Sequence, residues 1–104
     1  MSRDVVVTQL WKVPQTRGLH CSVNGLELAV FRVDGEVFAI ADSCPHSGAS
    51  LSNGKISGHT VACPAHGLKF DVRTGCSQVS PDLRNKTYPV RVDHGNVVLD
   101  LDAI

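Results

Sequence analysis

Two short segments of this sequence hold residue pairs of the kind that bind transition metals. The first reads Cys44-Pro45-His46-Ser47-Gly48, and the second reads Cys63-Pro64-Ala65-His66-Gly67. Sixteen residues separate His46 from Cys63, enough for a small hairpin that returns the chain to the same place. Two loops that each supply one thiolate and one imidazole can therefore converge on a single metal centre. The glycines allow close passage of the backbone, and the prolines stiffen each loop.

The composition is that of one soluble folded domain, which we assign to residues 1–104. The sequence has 42% hydrophobic residues, and its ten basic and ten acidic residues cancel. This balance argues against a nucleic-acid-binding protein, because such proteins usually carry a basic excess. No stretch approaches the roughly 20 apolar residues of a membrane helix, and the first residues do not resemble a signal peptide. We therefore expect no nucleic acid partner, no membrane association and a cytoplasmic location.

The elements that position these loops are predicted to be β-strands. Turn dipeptides at Asn24-Gly25 and Asp34-Gly35 divide the first half of the chain into strands over 26–33 and 36–41, and residues 93–96 offer a third reversal. Polar and apolar residues alternate at 90–93 and 97–102. Short strands fit residues 55–57 and 60–62, and no window predicts an amphipathic helix. The prediction is an all-β domain whose residues 42–75 form a small metal-binding subdomain.

The spacing Cys-x-His, sixteen residues, Cys-x-x-His resembles the Rieske ferredoxin family. The resemblance covers residues 33–98 and includes Leu51, Gly54, Phe70-Asp71 and Thr74-Gly75. It implies a Rieske-like antiparallel β-sandwich with a small cluster-binding subdomain and one [2Fe–2S] cluster. It also implies the ligands: one iron is held by Cys44 and Cys63, and the other by His46 and His66. The histidine-bound iron would then lie near the surface, where an electron leaves.

Histidine ligation raises the expected reduction potential above that of an all-cysteine cluster. Two thiolates and two neutral imidazoles leave the oxidised site neutral, whereas four thiolates would leave it negative and harder to reduce. Protonation of an imidazole favours the reduced state, so the potential should fall as pH rises through the imidazole pKa.

Comparison within the family indicates a potential at the low end of the Rieske range. High-potential relatives carry two further cysteines that form a disulfide beside the cluster, and the matching positions here are Ala49 and Ala65. The same relatives carry a Ser and a Tyr that hydrogen-bond to sulfur, where this sequence has Leu68 and Phe70. Fewer hydrogen bonds to sulfur stabilise the reduced state less, which places the potential near about −150 mV.

The resemblance is closest to the ferredoxin components of bacterial aromatic-ring dioxygenase systems. The sequence offers no substrate pocket, nucleophile or nucleotide-binding glycine motif. We therefore expect a one-electron carrier, monomeric as suits a shuttle, and not an enzyme in its own right. Its expected partners are an NADH-dependent flavoprotein ferredoxin reductase and a terminal oxygenase. We expect a small docking surface around the ligands, formed by Pro45, His46, Ser47, Pro64, Ala65, His66 and Leu68.

Three alternatives remain open on the sequence alone. The chain could be the cluster-bearing small subunit of an assimilatory nitrite reductase, a class of similar size and fold. Two Cys and two His also suit a structural zinc site, although Cys-x-His is a tight spacing for zinc. A disulfide between Cys44 and Cys63 is disfavoured in a reducing compartment.

The remaining chemically active side chains are predicted to be structural. Cys21 is expected in a strand as a buried, inert thiol, and Cys76 is expected near the surface. His20, His59 and His94 are expected to be solvated, with His20 in a strand and the other two in turns. Trp11 and Tyr88 are expected to pack in the core or at a sheet edge.

Overall fold

The protein is described by a computed structural model that covers residues 3–43, 49–65, 67–77 and 83–103. Within these ranges the chain forms ten β-strands, three short 3₁₀ turns and no α-helix, so the all-β prediction is confirmed. No helix in the described ranges is long and apolar enough to cross a membrane. The strands are β1 (Asp4–Gln9), β2 (Leu19–Val23), β3 (Leu26–Val33), β4 (Glu36–Ala41), β5 (Ile56–Ser57), β6 (Thr60–Ala62), β7 (Lys69–Asp71), β8 (Thr87–Tyr88), β9 (Val90–Asp93) and β10 (Asn96–Asp100).

The strands form three antiparallel sheets. The terminal sheet has the order β1-β10-β9, the central sheet has the order β2-β3-β4-β8, and the small sheet has the order β5-β6-β7. Asp4 lies opposite Asp100 in the terminal sheet, so the two ends of the chain are paired. Along the chain, β5 follows the first loop proposed to bind metal, and β6 and β7 flank the second.

Tight turns set the register of three hairpins. Asn24, Asp34 and His94 have φ values of 50°, 51° and 52°, and each is followed by a glycine that also has positive φ. Two consecutive positive φ values fit the turns whose twist matches that of the flanking strands. The predicted strands over 26–33 and 36–41 therefore have the predicted bounds.

The central sheet is buried on both faces. One face packs against the terminal sheet through residues such as Leu28 and Val30, and the other packs against the small sheet through Ala29 and Phe31. All four of these side chains are fully buried. This arrangement explains why β3 is a nearly continuous apolar run. The edge strand β9 alternates in sequence, but Val90 is only partly buried and Val92 is 39% exposed.

Two expectations about the chain ends need correction. Trp11 does not pack in the core, because the 3₁₀ turn Leu10–Lys12 leaves it 73% exposed. Its Nε1 instead donates a hydrogen bond to Oε1 of Gln9 at 2.9 Å. The alternation predicted over 97–102 ends at Asp100, and a 3₁₀ turn begins at Leu101. Tyr88 is partly buried against the core, as expected.

Candidate metal centre

Of the four proposed ligands, the described residues include only Cys63. Cys44, His46 and His66 lie outside the described ranges, as do Pro45 and Ser47 of the expected docking surface. The described residues nevertheless define the second loop on both sides of position 66 and the flanks of the first loop on both sides of positions 44–48. The site can therefore be built from the elements that hold these loops.

The second loop closes the hairpin between β6 and β7. The backbone N–H of Cys63 donates to the carbonyl of Leu68 at 2.7 Å, and the N–H of Gly67 donates to the carbonyl of Cys63 at 2.8 Å. Gly67 has φ of +70°, a conformation that residues with a Cβ rarely adopt. These contacts hold the two ends of the loop together, while Pro64 and Ala65 are exposed at its tip.

Cys63 lies at the edge of a hydrophobic core. It is 1% exposed and belongs to the same buried cluster as Ile40, Leu51, Val61 and Phe70. An apolar shell around a metal ligand limits water access to the metal and lowers the local dielectric constant. This environment suits a cysteine whose thiolate is neutralised by a metal, since an unpaired buried thiolate would be costly.

Asp42 joins the two flanks of the first loop. Its side chain is 2% exposed and accepts three hydrogen bonds from residues that follow the loop. The Ser50 hydroxyl and the Ser52 backbone N–H donate to Oδ1 at 2.8 and 2.7 Å. The Ser52 hydroxyl donates to Oδ2 at 2.9 Å. Because carboxylate hydrogen bonds are among the stronger ones, Asp42 fixes the distance that the first loop must span.

Asn85 anchors the start of the same loop from the outside. Its side-chain amide donates to the carbonyls of Ala41 and Ser43 at 2.9 and 3.1 Å. Its backbone N–H donates to the carbonyl of Gly75 at 2.6 Å. Asn85 is 6% exposed, so these bonds are shielded from water. The backbone entering the first loop is thereby tied to the turn that follows β7.

Gly54 brings the flanks of the two loops into contact. A Cβ at this position would lie 2.1 Å from the carbonyl oxygen of Ala62 and 3.0 Å from a methyl group of Val61. Ala62 directly precedes Cys63, and Gly54 follows the first loop through the buried 3₁₀ turn Leu51–Asn53. The flanks of both loops therefore converge, which fits the two-loop metal centre that the spacing predicts.

Asp42 and Asn85 are the positioning residues that the sequence analysis did not identify. Asp42 gave no signal in the sequence, because its hydrogen bonds to Ser50 and Ser52 depend on the folded loop. Asn85 lies ten or more residues from either loop, so only the folded structure shows its role. The glycines named in the family resemblance, Gly54 and Gly75, have a clear role here, since each meets backbone where a side chain would clash.

Cys21 and Cys76 lie apart from this centre. Cys21 is in β2, 7% exposed, and packs in the core between the central and terminal sheets, as expected. Burial, together with the charge of Asp42, raises the pKa of the Cys21 thiol. Cys76 is partly exposed. Its N–H donates to Thr74 Oγ1 at 3.2 Å, its carbonyl accepts from the N–H of Asp71 at 2.9 Å, and it forms a β-bridge with Arg84.

We predict that Cys21 resists alkylation in the folded protein. A raised pKa keeps its thiol protonated at neutral pH, and the thiolate is the reactive form. Iodoacetamide at pH 7.5 should label Cys76 and leave Cys21 unlabelled until denaturant is added, as read by mass spectrometry of peptides. Equal labelling of both cysteines in the native protein would contradict the buried placement of β2.

The three histidines outside the motifs have structural contacts. His20 contacts Glu27, and its Nε2 lies 3.9 Å from Oδ2 of Asp42. His94 Nδ1 lies 2.6 Å from Oδ1 of Asp93, at the exposed turn between β9 and β10. His59 is only half exposed, and its ring meets Phe38 edge-on with centroids 5.5 Å apart. His59 is therefore less solvated than the sequence suggested.

The comparisons with known proteins agree with this architecture. Residues 4–92 match the Rieske [2Fe-2S] domain family. The ferredoxin component of the naphthalene 1,2-dioxygenase system of Pseudomonas aeruginosa is 39% identical over 93 residues, which cover 88% of this chain and 89% of that protein. The ferredoxin of Sphingomonas yanoikuyae B1 matches with a TM-score of 0.85 and 34% identity, over 94% of this chain and 98% of that one.

Two further solved structures bear on partners. A complex of reduced oxygenase and oxidised ferredoxin in carbazole 1,9a-dioxygenase contains a chain that matches with a TM-score of 0.82 and 31% identity, over 93% of this chain and 92% of that one. A chain whose structure is described as a nitrite reductase NADPH small subunit matches with a TM-score of 0.84 and 27% identity, over 93% of this chain and 97% of that one.

This chain belongs to the Rieske [2Fe-2S] domain family. Its cofactor is accordingly one [2Fe–2S] cluster. A buried Cys63 beside a closed hairpin loop, with the flank of the first loop in contact with it through Gly54 and Ala62, fits the donor set that such a cluster needs.

Proposed function

We propose that this protein is a soluble one-electron carrier that takes an electron from an NADH-dependent flavoprotein reductase and delivers it to a terminal aromatic-ring oxygenase. The observation that carries the proposal is the full-length similarity to ferredoxin components of dioxygenase systems. The chain covers 89% of the first of these relatives and 98% of the second. We therefore place catalysis in its partner and not in this chain, and we propose a cytoplasmic monomer.

The proposed ligands are Cys44, His46, Cys63 and His66. When bound, the cluster would accept and release one electron reversibly. The residues of the chain would hold the cluster and fix the loops around it. Cys63 is held by its buried neighbours, and the hydrogen bonds of Asp42 and Asn85 fix the flanks of the loop that contains Cys44 and His46. A rigid shell keeps the reorganisation on electron transfer small, which suits a carrier that cycles between two states.

A pair of cysteine variants tests the ligand assignment. Cys63→Ala should abolish cluster incorporation, because it removes a thiolate that no other described residue can replace. Cys21→Ala removes an equally buried cysteine from the other core and should retain two irons and two sulfides per chain. The readout is an electron paramagnetic resonance spectrum after anaerobic dithionite reduction, with iron and sulfide quantified. Stoichiometric zinc and no signal in the parent protein would instead indicate a structural zinc site.

Phe70 is fully buried and has no hydroxyl, and Leu68 packs beside it. We therefore retain the proposal of a potential near about −150 mV, which direct electrochemistry would measure. A value several hundred millivolts higher would show that other groups donate hydrogen bonds to the sulfur atoms.

The expected docking surface is best tested at Ala65. Leu68 is partly buried against the core that contains Cys63, so a charge at Leu68 would disturb the cluster environment as well as docking. Ala65 is exposed, so Ala65→Asp should slow electron delivery to the oxygenase of a reconstituted naphthalene 1,2-dioxygenase system, while the protein retains two irons and two sulfides per chain. Unchanged turnover would remove this surface from the docking proposal.

The alternative function is a subunit of a nitrite reductase, which the similarity to that small subunit favours. The higher identity to dioxygenase ferredoxins favours the carrier. Size-exclusion chromatography with the components of each system separates the two, because a carrier elutes alone and a subunit co-elutes with its enzyme.

A further inference from the structure

The small sheet presents a row of basic side chains on its outer face. Its inner face is apolar, because Ile56, Val61 and Phe70 pack into the core. Side chains on neighbouring positions of a strand point to opposite faces, so residues 55, 57, 60, 62, 69 and 71 point outward. A shallow depression of about 290 Å³ on this outer face is lined by Lys55, Ser57, Thr60, Ala62 and Lys69.

The register places three cations in one line across the strands. Arg17 forms a β-bridge with Lys55, Ala62 donates its N–H to the carbonyl of Lys55 at 3.0 Å, and Ala62 lies opposite Lys69. We call Arg17, Lys55, Ala62 and Lys69 the basic row. Adjacent strands are about 4.8 Å apart, so the row is roughly 15 Å long. It passes directly beside Cys63, which follows Ala62.

These cations are not neutralised by the described part of the protein. Arg17, Lys55 and Lys69 are exposed and form no ion pair with any residue in the described ranges. The nearest acidic residue on this face, Asp71, is already bound by Arg73, whose Nη2 lies 2.8 Å from Oδ2. That contact lowers the pKa of Asp71, so the pair remains intact and neutral at physiological pH.

The positive charge of the basic row contrasts with the zero net charge of the whole chain. Basic and acidic residues cancel over the full sequence, but residues 42–75 contain Lys55, Lys69 and Arg73 against Asp42 and Asp71, and the side chain of Asp42 is buried. Like charges on directly opposed strand positions destabilise a sheet. Arg17 opposite Lys55 is therefore a local cost to the fold, and a ligand of opposite charge would remove it.

We propose that the basic row is a docking surface for an acidic patch on the redox partner that accepts the electron, the terminal oxygenase. Carboxylates of that partner would be seated between Lys55 and Lys69. This inference rests on the proposed carrier function and specifies the chemistry of the partner. The depression floored by the small Ala62 side chain gives space for a carboxylate between the two ammonium groups. Charges of this kind guide encounter and raise the association rate more than they raise affinity. The partner would be held beside the second loop, where the electron leaves.

Small charged oxidants test the surface without any protein partner. The dithionite-reduced holoprotein transfers one electron to ferricyanide, an anion, or to hexaamminecobalt(III), a cation; the cluster is oxidised and the metal complex is reduced. The ferricyanide rate should fall about tenfold as salt rises from about 10 to 500 mM, and the hexaamminecobalt(III) rate should rise. A net-neutral protein without a local basic surface would show no such dependence on salt.

Matched variants locate the effect. Lys55→Gln combined with Lys69→Gln should abolish the salt dependence, whereas the exposed Lys12→Gln in the 3₁₀ turn beside Trp11 should preserve it. Lys55→Gln should also raise the melting temperature, because it removes the repulsion with Arg17. Salt-independent ferricyanide oxidation of the parent, or an equal effect of Lys12→Gln, would overturn the proposal.

The protein partner gives a separate result. In a reconstituted reductase–oxygenase system, the double lysine variant should raise the KM for this chain about tenfold, with kcat unchanged. A chain that carries its cluster but supports no turnover would refute the carrier function, and the ferricyanide result would still stand. Turnover that the double variant leaves unchanged would refute the docking surface, and the carrier function would still stand.

Discussion

Asp42→Ala should lose its cluster in urea on the order of a hundredfold faster than the parent protein. The substitution removes the acceptor for three hydrogen bonds and leaves the Ser52 N–H without a partner at a position that is 4% exposed. An unsatisfied buried donor and lost carboxylate bonds together cost about 3 kcal/mol. We expect the substitution to destabilise the folded state and not the unfolded chain. The three hydrogen bonds close the first loop by joining residues eight and ten positions apart, and they form only when the loop is folded.

The measurement is the decay of the visible absorbance at one fixed urea concentration under anaerobic conditions. Asp42→Asn should decay at an intermediate rate, because its amide oxygen can still accept from Ser50 and Ser52 but carries no charge. Asp34→Asn is the control: Asp34 lies in the exposed turn between β3 and β4 with positive φ, which Asn also accommodates. Decay of Asp42→Ala at the rate of this control would show that Asp42 does not hold the loop.

Gly75→Ala should destabilise the protein by about 3 kcal/mol or more. Gly75 has φ of +78°, and a Cβ there would lie 2.0 Å from the carbonyl oxygen of Asn85. The clash would push apart the turn after β7 and the segment that carries Asn85. Since the Asn85 side chain bonds the carbonyls of Ala41 and Ser43, the first loop should loosen and the cluster should be lost sooner.

Gly95→Ala separates this clash from backbone strain. Gly95 has nearly the same φ, +79°, but nothing lies within 4 Å of its added Cβ. It should cost only about 1 kcal/mol, the usual penalty for a side chain in this conformation. Thermal unfolding and cluster decay of both variants measure the difference. Equal destabilisation would mean that the contact between Gly75 and Asn85 has no energetic role.

Much of the scaffold could be predicted because its signals are local. The Asn24-Gly25 and Asp34-Gly35 dipeptides require positive φ, and this requirement fixed the bounds of β3 and β4 correctly. Trp11 was predicted wrongly because aromatic residues usually pack, and the sequence does not show that a 3₁₀ turn would direct Leu10 inward and leave Trp11 outside. His59 was treated as solvated, although its contact with Phe38 joins residues that are distant along the chain.

Only part of the metal centre could likewise be predicted from the sequence. Cys44, His46, Cys63 and His66 are recognisable from spacing alone, and the ligand assignment remains a prediction to be tested by the cysteine variants. Asn85 could not be predicted, because a buried amide that bonds two carbonyls more than 40 positions earlier leaves no periodic or motif signal. The basic row is likewise invisible until the register places Arg17, Lys55 and Lys69 side by side.

The pairing of the first and last strands has a practical consequence. The N–H of Leu101 donates to the carbonyl of Arg3 at 2.8 Å, and the Arg3 guanidinium meets Asp102 at 3.0 Å. Both chain ends lie in or beside the terminal sheet, which packs on the face of the central sheet opposite to the small sheet. A short linker could therefore join the two ends, and new ends could be opened at the His94-Gly95 turn. The same side offers an attachment point for an electrode or a fused reductase, away from the small sheet and the hairpin that carries Cys63.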